Sequence, residues 1–68
     1  MTFIEFLNSE NRFNALFDRI TKRGYNALSD TEKAEYNALI QVINDPYNAE
    51  NQRTYYNAIS AGIIRIGH

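Results

Sequence analysis

Few side chains in this sequence of 68 residues are suited to chemistry. His68 is the single histidine and the last residue. A general base needs an orienting partner and a water-poor pocket, and a chain end supplies neither. Cysteine is absent, which removes thiol nucleophiles, disulfides and cysteine zinc sites. The three glycines stand apart at 24, 62 and 67, so no glycine-rich loop cradles a phosphate. Asp30, Glu32, Glu35 and Asp45 gather on one stretch, but Lys33 sits among them and their spacing does not fit a calcium loop. A capped, solvated helix face accounts for them better than a metal site. These residues argue against an enzyme, a resident cofactor and a metal centre.

Two kinds of binding chemistry remain. Arg12, Arg19, Lys22 and Arg23 lie on one predicted helix and could contact phosphates, with Tyr and Asn side chains to stack on and pair with bases. The charge balance weakens that reading. The formal net charge is −1, and residues 1–24 carry four basic against three acidic groups. Residues 25–46 carry one against four, and residues 47–68 two against one. An excess of one cation at each end is thin competition for phosphates at physiological salt. Nucleic-acid binding is therefore the alternative, and protein binding the leading expectation.

Capping signals locate the elements that must hold these groups. Thr2-Phe3-Ile4-Glu5 has the spacing of a capping box and opens a helix. Asn8, Ser9 and Asn11 favour caps and turns, so a break near Ser9 is expected, with a new stripe through Phe13, Leu16, Phe17 and Ile20. The other arrangement is one bent helix from Thr2 to Lys22. Phe3, Phe6, Phe13, Phe17 and Ile20 then share a seam in which Glu10 is the polar misfit. Lys22-Arg23-Gly24 reads as a helix end. Ser29-Asp30-Thr31-Glu32 is a second capping box, followed by the stripe Tyr36, Leu39, Ile40 and Ile43. Pro46 stops that helix, and Asp45-Pro46 is suited to open a third within 48–66. The fold class expected is all-α: a single domain over 1–68 with three main helices and a short extra one at the N-terminus.

Aromatic-Asn-Ala occurs five times, starting at Phe13, Tyr25, Tyr36, Tyr47 and Tyr56. An aromatic and the aliphatic three residues on are helix-surface neighbours, so the phrase suits packing. All four Phe lie at or before position 17 and all five Tyr at or after 25. Phe is thus expected in the core and some Tyr at a rim. Leu16-Phe-Asp-Arg-Ile-Thr-Lys-Arg-Gly24-Tyr-Asn-Ala-Leu28-Ser29-Asp-Thr-Glu32-Lys-Ala-Glu-Tyr36 resembles a helical hairpin in C-terminal tails of some bacterial rhomboid-type proteins. Its second half is similar to a piece of the HMG box. Each resemblance implies helix, tight turn and capped helix. Neither protease nor DNA-bending activity carries over, since membrane spans and a strongly basic chain are both lacking.

The C-terminal segment carries more apolar residues than one helix face needs. Tyr55, Tyr56, Ile59, Ile63 and Ile66 share a helical face, while Ile64 points roughly opposite. Alternatively Gly62 ends the helix and Ile63 to Ile66 form an extended tail. The expected partner-binding residues are Tyr55, Tyr56, Ile63, Ile64 and Ile66, contacting a protein partner or a second copy. No apolar run approaches the ~18 residues of a membrane span. The first residues lack a basic, apolar leader, so a cytoplasmic protein is expected. The Asn, Tyr and Ile usage suits a short reading frame of an AT-rich phage or mobile element, for which a host protein is the natural target.

Overall fold

A computed structural model describes residues 1–63. Helix α1 spans Phe3–Arg23, α2 spans Asp30–Asn44 and α3 spans Ala49–Ser60. Short 3-10 turns, Tyr25–Ala27 and Pro46–Asn48, join them. There is no strand among the described residues. The all-α, three-helix expectation is met. Helix α1 packs most extensively on α2, while α3 covers a smaller part of α1.

The N-terminus of α1 forms the expected capping box. Thr2 Oγ1 accepts the Glu5 N–H at 3.2 Å, and Glu5 Oε1 accepts the Thr2 N–H at 3.1 Å. The expected break near Ser9, and with it a separate short N-terminal helix, is not found, because α1 runs unbroken to Arg23. Ser9 Oγ donates to the Glu5 carbonyl at 3.1 Å. Its hydroxyl is thus satisfied within the helix rather than at a cap. Continuity keeps Phe6 and Leu16 on one rod, and both are fully buried.

Gly24 ends α1 with φ +89° and ψ 161°, a region essentially reserved for glycine. The chain then turns through Tyr25–Ala27, and Leu28 drops into the core. Ser29 and Glu32 form the second capping box. Helix α2 stops just before Asp45-Pro46, as the proline requires. Asp45 Oδ1 accepts the Tyr47 N–H at 2.9 Å, so Asp45 and Pro46 open the 3-10 turn that leads into α3. Two side chains beyond α2 close its carbonyl end. Asn48 Nδ2 donates to Val42 O at 2.8 Å, and Gln52 Nε2 donates to Ile43 O.

Helix α3 ends in a Schellman motif: Gly62 has φ +75°, Ile63 N–H donates to Ala58 O at 2.9 Å, and Gly62 N–H to Ile59 O at 3.0 Å. Gly62 therefore terminates the helix, and Ile63 does not continue the face begun by Tyr55. Ile64 and Ile66 lie outside the described residues. Tyr25, Tyr47 and Tyr56 are exposed, as expected of some tyrosines, but the placing of Phe alone in the core is corrected. Tyr55 is only 2% exposed, in the core with Phe6, Leu16 and Leu28, whereas Phe17 is half in water. Tyr55 meets the edge of Phe6 with centroids 6.2 Å apart, which draws it inward.

An added Cβ meets open space at both Gly24 and Gly62, so alanine there costs backbone conformation alone. Gly24→Ala is expected to lose about 1–3 kcal/mol. Gly62→Ala, near the end of α3, is expected to lose less. Urea unfolding followed by circular dichroism checks the ranking.

Candidate interaction surface

Four aromatic rings form a continuous row across α1 and α2. Phe13 and Phe17, one turn apart on α1, stack at 5.9 Å with 18° between planes. Phe13 also stacks on Tyr36 of α2 at 5.2 Å and 10°. Tyr36 in turn meets Tyr25, in the first 3-10 turn, at 6.3 Å. Gly24 makes that last contact available by turning the chain back on itself. Asn37 Nδ2 donates to the Tyr25 hydroxyl at 3.3 Å, and Lys33 Nζ sits 5.4 Å from the Tyr25 ring centre. Phe13 and Tyr36 are half-buried, while Phe17 and Tyr25 leave both ends of the row in water.

Phe13, Tyr25 and Tyr36 each begin an aromatic-Asn-Ala phrase. No one helix carries all three, since Phe13 lies on α1, Tyr25 in the first 3-10 turn and Tyr36 on α2. They meet instead across the hairpin, which periodicity along one helix cannot reveal. The Asn residues also find work between elements. Asn14 Nδ2 donates to the Tyr55 hydroxyl at 3.2 Å, tying α1 to α3.

The basic residues of α1 are mostly spent inside the fold. Arg12 Nε and Nη2 grip the two oxygens of Glu35, each at 2.9 Å, in a side-on pair. Arg12 also lies 3.9 Å from Glu32, which accepts a hydrogen bond from Arg19. Lys22 pairs with Asp18 at 3.1 Å. Of the four cations suited to phosphates, Arg23 alone has no such pair among the described residues. Arg19, Lys22 and Arg23 line a shallow, open depression with Ala15 and Asp18. The Arg12 guanidinium holds the Glu35 carboxyl below the usual carboxylate range. The Ser29 N–H, and then Arg19, do the same for Glu32.

The residues expected to bind a protein partner are divided by the structure. Tyr55 is buried against Phe6 and Tyr56 and cannot reach a partner from this fold. Tyr56 is 57% exposed and Ile63 79% exposed. Ile64, Ile66 and His68 lie outside the described residues. Tyr47, which opens a copy of the repeat but is not among the expected partner-binding residues, is 97% exposed on the second 3-10 turn. Glu32, Glu35 and Asp45 serve caps and ion pairs, and no metal-holding cluster occurs among the described residues. No protein family, curated protein or solved structure matches this chain.

The depressed carboxyls of Glu32 and Glu35 give a definite sign. Their stabilisation is present above the ordinary carboxylate pKa and is lost as pH falls through their lower folded values. Glu35→Gln is expected to lower stability at pH 7, with the deficit vanishing in acid and shrinking in high salt. Thermal melts of both proteins across pH and NaCl concentration read this directly.

Proposed function

We propose that this chain is a small non-enzymatic protein-interaction module that binds through the aromatic row of the α1–α2 hairpin. The observation that carries the reading is the row itself: contiguous rings with Phe17 and Tyr25 open to solvent at its ends. Aromatic side chains supply large contact area at small conformational cost and are enriched at protein interfaces. Tyr56 and Ile63 extend the apolar surface on α3. The occupant proposed is a protein in the cytoplasm, a host protein if the chain comes from a phage, as its composition suggests. A second copy of the chain is the other form of the same interaction.

Binding to nucleic acid is the weaker reading. Arg12, Arg19 and Lys22 already face carboxylates, so a phosphate would have to displace Glu35, Glu32 and Asp18. Such displacement gives up existing pairs for each new contact.

Affinity capture from host lysate, with wild type, Phe17→Ser, Tyr25→Ser and Tyr47→Ser as baits, tests the proposal. Wild type and Tyr47→Ser are expected to retain the same protein, and the two row variants to lose it by at least about tenfold, the range of an interface hot spot. Helical circular dichroism should be unchanged in all four. Sedimentation across concentration identifies self-association, which Phe17→Ser should abolish. Capture indifferent to the row variants, or tight binding to oligonucleotides in its place, would refute the reading.

A further inference from the structure

Glu10 belongs to neither the ion-pair clasp nor the aromatic row. It is 5% exposed, and its Oε1 is buried without a hydrogen-bond partner among the described residues. Its neighbours one turn before and one turn after on the same stripe of α1 are Phe6 and Asn14. Both touch Tyr55 of α3, Phe6 by ring contact at 6.2 Å and Asn14 by a hydrogen bond at 3.2 Å. Glu10 is therefore enclosed at the seam where α3 seats on α1.

Among the described residues, the groups around it offer no compensation. On α3 the titratable neighbour is Tyr55, whose hydroxyl already accepts from Asn14. On α1, Phe6, Phe13 and Asn14 are uncharged. No charged group of α2 acts on Glu10, and the acids Glu32 and Glu35 are held by Arg19 and Arg12. None of the ion pairs among the described residues includes Glu10. An ionised carboxylate in such a place is costly, and a group in that position avoids the cost by holding a proton.

We propose that Glu10 makes the seating of α3 on α1 proton-linked: α3 docks firmly when Glu10 is neutral and loosens when Glu10 is ionised. Burial pushes the Glu10 carboxyl above the ordinary range, in keeping with this placement. For a carboxyl raised in the fold, the cost is absent below its ordinary pKa and grows as pH rises past that value. The sign is opposite to that of Glu32 and Glu35, and the location differs, since their clasp joins α1 to α2. Loosening α3 uncovers Phe6 and Tyr55, so proton release offers a second apolar surface while the hairpin stays closed. This inference stands apart from the aromatic row and does not depend on it.

Amide hydrogen exchange by NMR, corrected for intrinsic rates, resolves the two helices separately. At pH 7 the α3 amides of Glu10→Gln are expected to exchange slower than those of wild type, on the order of tenfold, within the cost of a buried polar group left without a hydrogen-bond partner. The difference should close as pH falls toward about 4, near the ordinary Glu value. Glu10→Leu should behave as Glu10→Gln at neutral pH. Tyr55→Phe, which lacks the hydroxyl held by Asn14, should weaken α3 yet keep the pH dependence. Equal α3 protection in wild type and Glu10→Gln at pH 7, equal pH dependence in the two, or failure of Glu10→Gln to fold would each overturn the proposal.

Discussion

The stack of Phe13 on Tyr36 is the contact on which the rest of this fold depends. It joins α1 to α2 at 5.2 Å, and Phe17 and Tyr25 attach to its two sides. The described core is small, with Phe6, Leu16, Leu28 and Tyr55 as its buried hydrophobic members. A chain of this size hides only about 60% of the surface its unfolded form exposes. Half-buried rings must then contribute where full burial is scarce. The Arg12–Glu35 pair clamps the same hairpin, but both partners are substantially exposed and solvent screens them. Ring contact, rather than charge, is the stronger tie between the two helices.

The same economy explains the repeated phrase. Its aromatics stack across elements, and its Asn side chains bond to other elements: Asn14 to Tyr55, Asn37 to Tyr25 and Asn48 to the Val42 carbonyl. The two 3-10 turns show where the pattern fails. Tyr25 meets Tyr36, eleven positions on, and is held. Eleven positions beyond Tyr47 stands Ala58, which has no ring to offer. Tyr47 is left almost wholly in water although Asp45 fixes its backbone. Packing thus absorbs most of the repeat, and the copies at Tyr47 and Tyr56 supply exposed surface.

Local chemistry was readable in the sequence because caps act over three or four residues. Thr2 and Glu5, Ser29 and Glu32, Gly24 and Pro46 all mark boundaries found in the structure. Ser9 misled because a serine hydroxyl satisfies either a cap or the preceding turn, and only tertiary packing along α1 chooses between them. Tyr55 looked like surface because its partners, Phe6 and Asn14, are more than forty residues away in sequence. Asn48 and Gln52 closing the end of α2 left no local mark for a similar reason. The candidate site was half legible. Its aromatic phrases stood out, but their meeting across the hairpin depends on a turn geometry that periodicity does not encode. Glu10 stood out as a misfit in the apolar seam, and the fold shows that it is buried there.

A double-mutant cycle on Phe13→Leu and Tyr36→Leu tests this account most directly. Leucine keeps apolar bulk at both positions while removing the stacked faces. The account predicts a favourable coupling of about 0.5–1.5 kcal/mol in unfolding free energy, the range of a paired aromatic contact. Additive losses from the two single variants would contradict it, and would assign the hairpin to generic burial.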